Sequence, residues 1–437
     1  MNRGGRRLPS DLQSREDEIM SNKGIIMREC DKANMVRRVC TGKVDHNTFF
    51  RNIHGHLLIS GAEAGDVTML GDMVWEYAAR KDMPTIILSS RLEFLHHLQQ
   101  RQRGGMGNRI MVSAPDSLNY HPMYGMTTQQ IRRLLTIAGE EVGCGGMMDR
   151  ILLYAASVID IVAAKYPVSL PALSVLLRED DDFIASFANR MGMSNVTANN
   201  ILGDHEAGIL LRRIIEHIED AFEGVACSES DTKYNFQSGS RGKVSVMAFY
   251  QVSSNQRLMN AYLREELYAA LKKVPRLRVI LDEALFLDES DELLHLLVQT
   301  KRQGKMELIV CSENVKAMLP GVSLDFENIC LFQHANAIAT EELSRDVFGT
   351  YQYHYPVCVA GRPPAILITL KRDMHWQIST EERLKIRAED LYARQRVFGT
   401  SGDNMAVKTT ANHNIYLIPV REFVLSDNLE DYPVPAN

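Results

Sequence analysis

Short, unbroken apolar runs alternate with helical stretches on both sides of a long helical middle, and that alternation leaves few folds open. Residues 57–60, 85–88 and 109–113 read as strands, with helices at 67–81 and 91–101 between them. The pattern returns as strands at 243–249, 277–281, 307–312 and 328–333, helices at 254–272 and 289–303, and a late strand at 365–370. A strand that is apolar at every position is buried on both faces, and a helix between successive strands supplies the cover. The expected class is therefore α/β with a mostly parallel sheet and helices on both faces.

From residue 127 to about 224 the spacing is helical and strand signals are absent, which predicts an all-α inserted domain of about 100 residues. Its first helix starts at Thr127, a suitable N-cap, and further helices are expected at 147–165, 170–177, 181–191 and 207–222. The organisation that follows is an N-terminal tail or adaptor segment at 1–50, polar and loosely docked, a first core part at 51–124, and the insert at 125–226. A second core part spans 240–420 and a loose tail 421–437. With 437 residues, 45% of them apolar, a core of this size can be filled. Seven cysteines with no C-x-x-C pair argue for reduced thiols rather than disulfides or zinc, and a net charge of −6 makes no demand for nucleic acid. No apolar stretch reaches the roughly 18 residues of a transmembrane helix, so a cytoplasmic location is expected.

The junction after the first strand, Gly61-Ala62-Glu63-Ala64-Gly65-Asp66-Val67-Thr68, has the outline of a phosphate-binding loop. The working loop, G-x-x-x-x-G-K-[ST], wraps phosphate oxygens with backbone N–H groups, sets a lysine against the β/γ-phosphates and holds magnesium with the hydroxyl. Here Gly61 and Thr68 keep the outer positions, while Asp66 replaces the second glycine and Val67 the lysine. Taking Gly65 as the second glycine instead puts Asp66 in the lysine slot. A carboxylate ~4 Å from a phosphate charge costs on the order of 4 kcal/mol in a surface-like dielectric. The same octapeptide also reads as an ordinary strand-to-helix turn. No lysine is near in sequence; Arg91, just after the second strand, is the basic residue placed to point inward.

Far downstream, Val279-Ile280-Leu281-Asp282-Glu283 is an apolar strand ending in two acids. In a nucleotide motor the first such acid orients magnesium and the second polarises the attacking water; capping acids at a helix start are the other reading. The next helix closes on Lys301-Arg302-Gln303-Gly304-Lys305, whose charges either complement the helix dipole or offer an arginine to a neighbouring subunit.

Several features are specific in combination: His56 before an apolar strand and Gly61-Ala62; a helical segment after the third strand, opened by Tyr120-His121-Pro122; the strand at 243–249 with its helix; Leu281-Asp282-Glu283-Ala284; Lys301-Arg302-Gln303-Gly304; the strand Leu308-Ile309-Val310-Cys311-Ser312; and Leu343-Ser344-Arg345-Asp346-Val347-Phe348-Gly349. This order of parts resembles the FtsK–HerA superfamily of ring motors, and within it the TraG/TraD-type coupling proteins of conjugation and type IV secretion, across residues 50–420. The resemblance implies a RecA-like P-loop NTPase core and a ring, usually hexameric, with related ATPase subunits. It implies ATP and magnesium as ligands, a secretion or conjugation membrane complex as partner, and DNA or protein moved through the pore. Carried over, Gly61, Gly65, Asp66, Val67 and Thr68 are phosphate-loop positions, Thr68 and Asp282 magnesium positions, Asp282 and Glu283 the acids, and Arg302 an arginine finger. Glu313 stands where the family places the glutamine that senses the γ-phosphate.

Asp66, Val67 and Glu313 thus depart from the family at one pocket, and all three disfavour a bound triphosphate. Three functions compete: a nucleotide-impaired scaffold or adaptor subunit, an active translocase that borrows a cation such as Arg91, and a non-motor α/β binding module. The family's N-terminal membrane helices have no counterpart here, so any membrane association is expected to run through partners. His54, His56, His96 and His97 lack acids or cysteines at ligand spacing and read as surface or core histidines. Glu179-Asp180-Asp181-Asp182 reads as a solvated helix start.

Overall fold

The computed structural model describes residues 10–34, 39–41, 55–61, 83–103, 110–113, 120–222, 236, 246–250, 256–283, 292–312, 326–332, 337–360, 374–391, 404–409 and 412–419. In chain order, α1 (Ser10–Asn34) and β1 (Val39–Thr41) precede β2 (Leu57–Ser60), β3 (Thr85–Ser89), α2 (Leu92–Arg103) and β4 (Ile110–Ser113). The helices α3 (Thr128–Glu141), α4 (Met148–Ala163), α5 (Leu170–Leu177), α6 (Asp181–Arg190), α7 (Asn195–Leu202) and α8 (His205–Ala221) come next. Then follow β5 (Val246–Tyr250), α9 (Gln256–Leu271), β6 (Leu277–Asp282), α10 (Glu292–Arg302), β7 (Met306–Ser312) and β8 (Asn328–Leu331). The chain ends in α11 (Ala337–Phe348), β9 (Thr350–Ala360), β10 (Met374–Leu384), α12 (Ala388–Leu391), β11 (Asn404–Thr409) and β12 (Asn412–Pro419). The expected helix at 67–81 and strand at 365–370 lie outside the described residues.

The chain divides into two units, one of residues 45–330 with 424–437, the other of 1–44 with 331–423. In the first, the strands run in the order β4-β5-β3-β6-β7-β2-β8, and each pairing from β4 to β2 is parallel. Every residue of β2, β3, β6 and β7 is buried. That is the condition the unbroken apolar runs imply, since a strand with helices over both faces has no solvent side.

Within the same unit, residues 128–221 form helices and one 3-10 turn, with no strand. The start at Thr127 is capped as the sequence predicts, whereas α4 begins without a side-chain cap. Thr127 accepts from the Gln130 N–H while the Gln130 side chain accepts from the Thr127 N–H, a closed capping box. At the starts of α5 to α8 the side chains of Ser169, Asp180, Ser194 and Asp204 each accept one backbone N–H, from Ala172, Phe183, Thr197 and Ala207. The acidic run at 179–182 departs from expectation: Asp180 is the cap, but Asp181 is buried. Its carboxylate accepts from Tyr154 at 2.7 Å and Arg212 at 2.6 Å and sits 2.7 Å from His205 Nδ1. Burial opposes that charge and the three partners outweigh it, so the Asp181 carboxyl stays below its usual range. Three elements are thereby tied through one acid.

A second buried polar chain joins the start of the helical segment to α9. The Tyr120 and Tyr262 hydroxyls lie 2.6 Å apart, and Tyr262 donates to Glu266 Oε1 at 3.0 Å. The Met123 N–H, on a residue with φ of 62°, donates to the Tyr262 hydroxyl at 3.3 Å. Phe222 packs edge-on to Tyr262 with ring centroids 4.7 Å apart. Glu266 has no solvent exposure.

In the second unit, β11 and β12 form an antiparallel pair with β1 parallel to β12, and β9 and β10 pair antiparallel from Thr350↔Leu384 to Ala360↔Met374. Tyr351, Tyr353 and Tyr355 stand on one face of β9, and the Arg383 guanidinium lies 3.6 Å from the Tyr353 ring centre. The Leu343–Gly349 motif is a helix end. Gly349, at φ 75°, turns back so that its N–H donates to Ser344 and Arg345 carbonyls, while the Ser344 hydroxyl donates to the Ile386 carbonyl at 2.6 Å.

The N-terminal expectation is corrected: residues 10–34 are a helix, α1, packed on β9 and β10, with Lys23 Nζ 5.0 Å from the Trp376 ring centre. Across residues 21–33 only Cys30 is buried. So narrow a seam leaves almost no periodic signal in the sequence.

Burial raises the Glu266 carboxyl to about 8, against the pull of the Tyr262 hydrogen bond. The folded protein therefore keeps this proton where the unfolded chain, with its ordinary value near 4.5, has lost it. Stability is expected to fall as pH rises from about 4.5 to about 8 and to level off above, by roughly 1.4 kcal/mol for each unit crossed at most. Glu266→Gln should flatten that slope in urea unfolding curves between pH 5 and 9; an unchanged slope would assign it to other groups.

Candidate functional site

The parallel register aligns four strand tips. Ser60 of β2 lies beside Ser312 of β7, Cys311 beside Asp282 of β6, and Asp282 beside Ser89 of β3. Ligands of open parallel sheets bind outside the carboxyl ends of their strands, and this row is such an end. Gly61 continues β2 into it with φ of 83°, a conformation that suits glycine, and its N–H donates to the Ser312 carbonyl at 3.2 Å. Gly65, Asp66, Val67, Thr68 and Glu313 lie outside the described residues.

Asp282 is 1% exposed, and Arg91 is seated on it. The Arg91 Nη2 donates to Asp282 Oδ1, and its Nε to Oδ2 at 3.1 Å, a two-pronged pair. The Ser89 hydroxyl donates to the same Oδ2 at 2.6 Å, and the Arg91 N–H donates back to Ser89 Oγ at 3.1 Å. The Ser90 N–H donates to the Asp282 carbonyl at 3.2 Å, and the Ser90 hydroxyl to the Glu283 carbonyl at 2.5 Å. The turn Ser89-Ser90-Arg91 therefore wraps the end of β6. Burial pushes the Asp282 carboxyl above its ordinary value, with Arg91 and Ser89 pulling the other way. On the partner, burial works against the charge and Asp282 more than restores it, so the guanidinium is held charged.

Glu283 follows at φ 50°, left-handed for a non-glycine residue, a conformation that costs on the order of 1–3 kcal/mol and gathers at functional sites. Its N–H donates to the Cys311 carbonyl at 3.0 Å, and its Oε2 accepts from the Ser312 hydroxyl at 3.2 Å. The second acid is thus aimed by β7. Cys311 is buried, and its thiol is pushed far up, so it does not furnish a thiolate.

Asp282, Glu283 and Gly61 are brought together; Arg302 is not brought to them within one chain. It is exposed at the last position of α10. The turn after it passes through Gly304, at φ 65°, to Lys305, whose carbonyl accepts from the Leu277 N–H at 3.0 Å, at the start of β6 rather than its acidic end. That far end holds a feature the apolar runs conceal. Arg278 and Glu307, both buried, pair across β6 and β7 at 2.7 Å. Glu307 Oε1 also accepts from the Gly55 N–H at 3.2 Å. His56 accepts the Leu308 N–H on Nδ1 at 3.0 Å, a structural role. Among the described residues no group of three or more His, Cys, Asp or Glu could hold a metal ion, and no helix is long and apolar enough to cross a membrane.

No protein-family model matches the chain, and no curated protein does. Among solved structures it is similar to the bacterial conjugative coupling protein TrwBdeltaN70 in its unbound monoclinic form, with a TM-score of 0.50 at 10% identity over 91% of this chain and 96% of that one. It is also similar to the plasmid coupling protein TrwB in complex with the non-hydrolysable GTP analogue GDPNP, at 0.43, 12% identity, and 91% and 92% coverage. VirB4 of Thermoanaerobacter pseudethanolicus matches at 0.37 and 13% identity over 70% and 84%. At such identities the likeness is one of fold: the chain has the RecA-like α/β fold of the conjugative coupling protein, and the resemblance read from its motifs is borne out at that level.

A buried ion pair broken on one side leaves an uncompensated charge, at a cost of about 3–5 kcal/mol. Arg91→Met and Asp282→Asn are each expected to lose about that much in urea unfolding, and the double variant less than the sum of the two. Additive losses would mean that the two groups do not support each other.

Proposed function

We propose that this chain is a subunit of a conjugation or type IV secretion machine that keeps the motor fold for assembly and binds magnesium nucleotide poorly. One observation carries the reading: both oxygens of the acid that would orient magnesium are already engaged by Arg91, one of them also by Ser89. The departures at Asp66, Val67 and Glu313 support it from the sequence. In this role the subunit sits in a ring with related ATPase subunits, on the cytoplasmic side, joined to the membrane complex through partners. The coupling-protein fold supports that setting.

A second reading, an active translocase of DNA or protein with Arg91 as its borrowed cation, is favoured by Glu283. Its left-handed backbone and its hydrogen bond from Ser312 keep the second acid in a defined place.

Calorimetry of the purified chain with MgATP separates them. The scaffold reading expects no binding heat below millimolar nucleotide, whereas micromolar binding with turnover would establish the translocase. Asp66→Gly combined with Val67→Lys is expected to strengthen ATP binding by at least about tenfold, about 1.4 kcal/mol; no gain would mean that the Gly61 turn is not a decayed phosphate loop.

A further inference from the structure

The fold family implies a magnesium ion at the first acid, and the residues here do not fit one. A divalent ion of this kind is held by oxygen ligands that are anionic or neutral, at close range. At the tip of β6 the carboxylate faces a guanidinium on both oxygens, and that guanidinium is itself largely enclosed, with its side chain 13% exposed. The surroundings are otherwise of the right kind. The hydroxyls of Ser89, Ser90 and Ser312 and the carboxylate of Glu283 all gather at the same strand ends. Among the described residues the cation at these two acids is Arg91, and it is covalently part of the chain.

We propose that Arg91 is a built-in replacement for the divalent cation: the wild-type site neutralises Asp282 without metal, and removal of Arg91 converts it into a metal-binding site of carboxylates and hydroxyls. The inference rests on the impaired-nucleotide reading but concerns the metal alone, so each can fail without the other. Geometry specifies the replacement. Arg91 is placed by the same turn that carries Ser89 and Ser90, its N–H is bonded to Ser89 Oγ, and Ser90 is bonded to the backbone at both Asp282 and Glu283. The cation therefore arrives with the fold and cannot diffuse away. A lysine in its place would carry the charge but not the two-pronged contact.

The test is a titration of the full chain with Mn2+ alone, without nucleotide, followed by the loss of the free-ion electron paramagnetic resonance signal. Wild type is expected to bind no Mn2+ that Asp282→Asn removes. Arg91→Met is expected to bind one Mn2+ at least about tenfold more tightly than any wild-type binding, and Arg91→Met with Asp282→Asn to lose it again. If Arg91→Met does not fold alone, refolding with and without Mn2+ replaces the titration, with metal-dependent recovery as the supporting result. Asp282-dependent Mn2+ binding by the wild type would overturn the proposal, as would Arg91→Met, folded or refolded, that gains no metal dependence. So would binding in Arg91→Met that survives Asp282→Asn, because the metal would then sit elsewhere. MgATP binding by wild type would end the preceding reading while leaving the metal result to stand by itself.

Discussion

A carboxylate fully withdrawn from water at the end of a buried strand cannot stand alone, and the tip of β6 is organised around that constraint. Transfer of an isolated charge to such a place costs so much that the group either neutralises or acquires a partner. Asp282 has both its oxygens engaged. The partner comes from the turn after the neighbouring strand, β3, and not from a neighbour in sequence: 191 positions separate Arg91 from Asp282. The parallel register makes this pairing possible, because it sets Ser89 directly beside Asp282. With that register, the turn after β3 is held over the acid by Ser89, Ser90 and the Arg91 N–H.

The sheet that imposes this register was legible in the sequence because its strands have no solvent face. The runs at 57–60, 85–88, 277–281 and 307–312 coincide with β2, β3, β6 and β7 to within a residue or so, since burial on both sides removes the polar positions that blur a strand's ends. The helix start at Thr127 was legible for a local reason: the capping side chain and the N–H group it satisfies lie within three residues. One buried ion pair within the strands was not legible. Arg278 and Glu307 are polar residues in otherwise apolar runs, and only the parallel pairing of β6 and β7 reveals that they cancel each other.

What stayed hidden elsewhere depended on long-range contacts. The β9–β10 pairing and the parallel addition of β1 to β12 are defined by partners that no local pattern names. Helix α1 offers only Cys30 as a buried position between residues 21 and 33, so its polarity disguised a packed element as a tail. At the site, the acids and Gly61 were read from their places at strand ends. The decisive contact, Arg91 on Asp282, was visible beforehand only as an arginine able to point inward. The missing clue was the pair of serines before it, whose hydroxyls anchor the turn to β6.

A tethered cation and a bound ion differ in what the rest of the molecule can do with them. A metal and its nucleotide arrive and leave, so a site built on them changes charge during a cycle and can pass that change to its neighbours. A guanidinium delivered by the chain is present at an effective concentration fixed by its tether, independent of any pool in solution, and its charge does not titrate in a protein. The acid beneath it therefore always faces the same positive charge. Glu283 has its backbone N–H bonded to Cys311 and its side chain bonded to Ser312, so the second acid is fixed to β7 as the first is to β3. Two acids locked to two neighbouring strands tie the centre of the sheet together at this end. One substitution in the turn after β3, at Arg91, therefore acts both on the charge at the tip of β6 and on the link between β3 and β6.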